Sequence, residues 1–296
     1  MEALFNLSVA VFIVLTMLSA GFTTTFEQVG SILRKPVLII LVLFVGIVLR
    51  PLVGWGGAEL FSLAVPAFIA LVITACAPGA PFGAKAVMIG KADVSSGAVL
   101  QVMLAVVMSF TFAPTANLII GAADLGSDVA LPVAEILRTV VVLQVLPFIV
   151  GILMRHWTED TALTWNDFAA KGSSLLFVFV LAGALLGSWE TLVDLIGDRV
   201  LLAAGVVSGV MIVLGYFISQ CSKPTRQATG LIEPISNSGP CFAAVAIAFN
   251  NDPAILGAIT GIIVIQMVVG VGIASFWGRD SDEENLGEVA APEVST

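Results

Sequence analysis

The sequence predicts an all-α, polytopic membrane protein of about nine transmembrane helices, two of them broken near mid-span. Three observations lead there. The 296-residue chain is 58% hydrophobic and 11% charged, against about 25% charged in an ordinary soluble domain. Apolar runs close to the roughly 20 residues needed to cross a hydrocarbon core recur as far as residue 278. Two of those runs are interrupted by paired prolines and glycine.

The expected spans are 4–21, 36–54, 62–90, 94–120, 132–154, 168–187, 200–220, 227–250 and 253–277. The first, in MEALFNLSVAVFIVLTMLSAG, has no basic leader and reads as a spanning helix rather than a cleaved signal. With the N-terminus outside, Arg34, Lys35, Lys91, Arg155, Lys171, Lys223, Arg226 and Arg279 fall on the cytoplasmic side. Only Arg50 and Arg199 fall outside, where the loops carry Asp124, Asp128, Glu190, Asp194, Asp198 and Asp252. Basic residues mark the cytoplasmic side, so the expected topology is N-terminus out and C-terminus in. With no Arg-rich transit segment, the simplest home is a bacterial plasma membrane. Residues 1–279 are expected to form a single transporter domain. Residues 280–296 begin DSDEENLGEVA, with five acids and no base, and read as a disordered cytoplasmic tail. No resident cofactor and no nucleic-acid partner is expected; the bilayer and a small solute are.

The third span breaks at CAPGAPFGAK, through Pro78, Gly79 and Pro81. The eighth breaks at IEPISNSGPC, through Pro234, Gly239 and Pro240. Proline removes a backbone donor and collides with the preceding turn. Freed backbone groups at membrane depth survive only where protein or a water cavity covers them. By the span count the two broken segments run in opposite directions, as an inverted repeat requires, and such a pair points to a transporter.

Each break carries an ionisable residue. Lys85 opens the half-helix 82–90, and Glu233 ends the segment 227–234, with Asn237 and Ser238 following it. A charge near the bilayer centre is kept where it faces a cavity or an opposite charge, so the expectation is that Lys85 and Glu233 neutralise each other. The plainer alternatives are that Lys85 snorkels to the interface near Lys91 and that Glu233 is a protonated acid in a helix contact. Arg138 and Glu135 suit a surface i,i+3 pair. Gln101, Gln144 and Gln266 suit interhelical hydrogen bonds as well as solute contacts. An enzyme is not expected: the single histidine, His156, sits at a helix end, and no H-E-x-x-H or C-x-x-C motif occurs.

Three stretches, MLSAGFTTTFEQVGSILRKP, CAPGAP and IEPISNSG, resemble the bile acid:sodium symporter family, over about residues 10 to 278. The resemblance implies a core domain of crossed broken helices, a panel domain that moves against it, and organic anions as substrates: bile acids, steroid sulfates or small carboxylates such as pyruvate. It also implies a sodium site built partly from hydroxyl and amide side chains at the first crossover. Here those positions read Pro81, Phe82, Gly83, Ala84 and Lys85. The expectation is therefore a carrier whose Lys85 replaces the sodium, with Gly83, Lys85, Glu233, Asn237 and Ser238 around the site and a proton as a possible coupling ion. The alternatives are a conventional sodium symporter, with the ion at Glu233 and Asn237, and an arsenite-type efflux carrier using Cys76 and Cys241.

Overall fold

A computed structural model describes residues 2–290 apart from 124–137, 139, 188, 189, 191, 192, 194 and 196. Among the described residues the protein is all helix. The expected pair of Arg138 with Glu135, and the acidic positions Asp124, Asp128 and Asp194, involve residues outside that set.

Helix α1 (Glu2–Phe22) stops at a run of threonines, and Thr25 starts α2 (Phe26–Leu33) through a capping box with Gln28. The two helices meet at 92°. Helix α3 runs from Pro36 to Leu60. Its turn Val45–Leu49 is a π-turn placed just before Arg50-Pro51. Pro51 has no N–H and its ring crowds the carbonyl four residues back; a widened turn relieves both. Helix α7 (Val141–Trp157) repeats the device, with its π-turn Val141–Val145 ahead of Leu146-Pro147.

Helix α4 (Val65–Ala75) is buried along nearly its whole length and ends at the first break. Pro81 begins α5 (Pro81–Ile89). Asp93 caps α6 (Val94–Ala122) through the Ser96 N–H at 3.0 Å, and its carboxylate also accepts from the Thr225 hydroxyl at 2.9 Å. Then come α8 (Glu159–Gly187), α9 (Val200–Ile218), α10 (Lys223–Ile232), the second break, α11 (Ser238–Ala248) and α12 (Pro253–Ala290). Helix α12 is followed to Ala290, and residues 291–296 of the expected tail lie outside the described residues. Glu and Ala are good helix formers, and no proline intervenes before Pro292.

Among the described residues four helices are long and apolar enough to cross a membrane: 36–60, 94–122, 200–218 and 253–279. Counting the bent α1–α2 pair adds a fifth. The remaining apolar helices, 65–75, 141–157 and 238–248, are shorter, two of them because they end at a break. On α3, Val37, Ile40, Phe44, Val48 and Leu52 lie exposed at helical spacing. Such an outward apolar stripe suits lipid rather than water.

The helices sort into two groups by packing. Helices α1, α7 and α8 pack chiefly on one another, with α1 and α7 touching backbone to backbone at Gly21 and Gly151. Helices α3 to α6 and α9 to α12 pack around the breaks.

Candidate functional site

The two breaks meet. The Asn237 N–H donates to the Ala77 carbonyl at 2.8 Å, and the Ser236 hydroxyl donates to the Thr74 carbonyl at 2.8 Å. The Cys241 thiol points at the carbonyls of Asn237 (3.2 Å) and Ile73 (3.9 Å). Farther along, Gly83 lies against the backbone of Ile232. Ile73 meets Cys241 at one end and Gly83 meets Ile232 at the other, so the segments pass each other antiparallel.

Uncovered carbonyls are met by long polar side chains from neighbouring helices. Gln101 of α6 donates to the Gly79 carbonyl at 2.9 Å and to Gln144 Oε1 of α7 at 2.8 Å. Gln266 of α12 accepts from the Ser236 N–H at 2.9 Å. The glutamines of the spans thus serve the breaks and each other. Gly79 has φ of +81°, and a Cβ there would lie 2.4 Å from the Ala105 nitrogen. Only glycine suits both that backbone conformation and that approach.

Glu233 is fully buried, and neither carboxylate oxygen has a hydrogen-bond partner among the described residues. Its side chain lies between α3 and α9: a Cβ on Gly46 would come within 3.1 Å of Oε2, and one on Gly215 within 3.0 Å of its Cγ. The basic side chain bound to the segment just after it is Arg50. Arg50 is 1% exposed. Its Nη2 donates to the Ser236 hydroxyl at 2.7 Å and to the Pro234 carbonyl at 3.4 Å, while Nη1 is buried without a partner.

This corrects one expectation. Lys85 does not pair with Glu233: its ammonium donates to Ser173 at 3.0 Å and Ser174 at 2.8 Å, both on α8. Nor does it snorkel to an interface, being 4% exposed. Phe12, Phe82 and Phe177 cluster with ring centroids 4.6 to 5.8 Å apart, Phe82 three residues before Lys85 on α5 and Phe177 three residues after Ser174 on α8. Lys85 therefore lies at the seam between the two helix groups. Asn237 and Ser238 are half-buried at the start of α11, and Pro78, Pro81, Pro234 and Pro240 line the breaks as expected helix stops. Sequence reading missed Arg50, although an Arg-Pro step inside a long apolar run was a visible signal.

The profile of the sodium bile acid symporter family matches residues 10–195, more than half of the chain and the whole of the first break. The chain belongs to that family. With its long apolar helices it is accordingly a multi-pass membrane protein. Similarity extends further in two rice (Oryza sativa subsp. japonica) proteins described as probable chloroplastic sodium/metabolite cotransporters. BASS2 is 22% identical over 266 residues, 88% of this chain and 61% of its own length. BASS3 is 22% identical over 287 residues, 94% of this chain and 66% of its own length. The chain thus spans about two thirds of the curated relatives it matches.

Proposed function

We propose that the protein carries a small organic anion across a bacterial plasma membrane by alternating access, and that Lys85 is the cation that meets the anion. The observation that carries this reading is a buried ammonium at the seam of two helix groups, held only by neutral hydroxyls. No carboxylate lies within ion-pair distance of it among the described residues. A buried charge ordinarily demands an opposite charge, and an anionic substrate supplies one. The phenylalanine cluster offers apolar surface to the rest of the solute.

Alternating access is a rocking of one helix group against the other around a fixed site. Helices α1, α7 and α8 are the moving panel in this reading, and the groups packed around the breaks are the core. The Lys85–Ser173–Ser174 contact crosses the seam and exchanges for substrate contacts as the groups part. The reading keeps nine crossings with each broken segment counted as one, an inverted-repeat core, the N-terminus outside, and the C-terminus inside by the distribution of basic residues.

The test is uptake of radiolabelled pyruvate and taurocholate into proteoliposomes, with unlabelled carboxylates and neutral analogues as competitors. Competition is expected from anions only. Lys85→Met should lower uptake by about tenfold or more, since a hydrogen bond to a charged group contributes about 1.5–3 kcal/mol, and Lys85→Arg should keep part of it. Unchanged uptake in Lys85→Met, or competition by neutral analogues alone, would overturn the reading.

A further inference from the structure

We infer that Arg50 is a tethered cation filling the ion position of the crossover, so that this chain transports without binding sodium there. The inference rests on family membership and on the geometry at Glu233. It does not depend on which solute Lys85 meets.

A guanidinium with 1% exposure inside a membrane protein is costly unless its charge is used. Arg50 puts Nη2 on two oxygens of the unwound segment, the Pro234 carbonyl and the Ser236 hydroxyl. These immediately follow Glu233, and they are the hard oxygens that a bare alkali cation entering the break would need. Ser236 already accepts from Arg50 and donates its own proton to the Thr74 carbonyl.

The first break offers no replacement. From Cys76 to Ala84 it holds no side-chain oxygen at all, and its Ala77 and Gly79 carbonyls already accept from Asn237 and Gln101. The first break therefore brings no side-chain oxygen of its own to a sodium ion coordinated across both breaks.

Charge leads to the same conclusion. Glu233 is buried with both oxygens unpartnered among the described residues, and Arg50 is bound to the two oxygens that follow it. An ionised Glu233 and the guanidinium would sum to zero. A further fixed cation would leave the buried crossover net positive, which a low-dielectric surround penalises strongly. Arginine also stays charged across the physiological pH range and cannot leave with the substrate. A sodium gradient then does no work through this site, and a solute moves down its own gradient or with another ion.

The test uses the purified full chain without any anion. Melting temperature is recorded in sodium and in potassium chloride at equal ionic strength, alongside equilibrium binding of radioactive sodium. Wild type is expected to melt alike in both salts and to show no saturable sodium binding. Arg50→Gln removes the tethered charge; it is expected to melt lower in potassium and to recover in sodium as the concentration rises. Arg50→Lys keeps a cation and is expected to remain indifferent to sodium. Sodium stabilisation or saturable binding in wild type would overturn the proposal, as would a folded Arg50→Gln that ignores sodium. Should Arg50→Gln fail to fold, the wild-type binding measurement decides alone. None of these results bears on anion uptake, so each reading fails separately.

Discussion

The two helix breaks are alike in backbone and unlike in charge. Both expose carbonyls at a proline-rich interruption, and both have those carbonyls covered by side chains reaching in from another helix. The first break is purely apolar in its own side chains, and its cation, Lys85, faces away from the crossing toward α8. The second holds a buried acid within it and receives a guanidinium from α3. The difference teaches that an opposite charge nearby in the membrane pattern is not a partner. The buried acid and the guanidinium share the second break, while Lys85 lies at the seam with α8.

The largest expected effect is at the second break. Arg50→Ala takes the charged donor from the Pro234 carbonyl and the Ser236 hydroxyl at once, and each hydrogen bond to a charged group contributes about 1.5–3 kcal/mol. Folded yield and melting temperature should fall sharply. Next comes Gly79→Ala, which forces a Cβ to 2.4 Å from the Ala105 nitrogen at a φ of +81°. Strained backbone of that kind costs about 1–3 kcal/mol, with overpacking added, and thermal melting should register it. Gln101→Leu leaves the Gly79 carbonyl without its side-chain donor, at about 1–3 kcal/mol. The smallest effect on stability is at Lys85. Its two serines also donate to the Ala170 carbonyl, so they stay satisfied when the lysine is cut back. Lys85→Ala should shift stability by less than about 1 kcal/mol while transport collapses. Equal destabilisation at Lys85 and Arg50 would erase the contrast between the breaks.

Much of this was legible in the sequence. Pro-Gly interruptions inside apolar runs are local signals, and they located both breaks, Lys85 and Glu233. The pairing was not legible, because it depends on which helices flank each break. Ser173 and Ser174 lie 88 and 89 residues from Lys85, and Arg50 lies 186 from Ser236. The role of Arg50 was not legible because it depends on where the side chain points. Arg50 lies inside the expected span 36–54, and the helix passes through a π-turn just before it and continues ten residues beyond it to Leu60. A π-turn rotates every later side chain around the helix, and periodicity in the sequence carries no mark of it. The span count was read from hydropathy, whereas unbroken helix length depends on where the chain kinks.

The central claim is that Glu233 is coupled to Arg50 and not to Lys85. A double-mutant cycle on melting stability tests it, using Glu233→Gln, Arg50→Gln, Lys85→Gln and the two doubles containing Glu233→Gln. The account predicts a coupling of at least about 1 kcal/mol for Arg50 with Glu233 and additivity within about 0.5 kcal/mol for Lys85 with Glu233. Coupling of Glu233 to Lys85, with Arg50 additive, would contradict it.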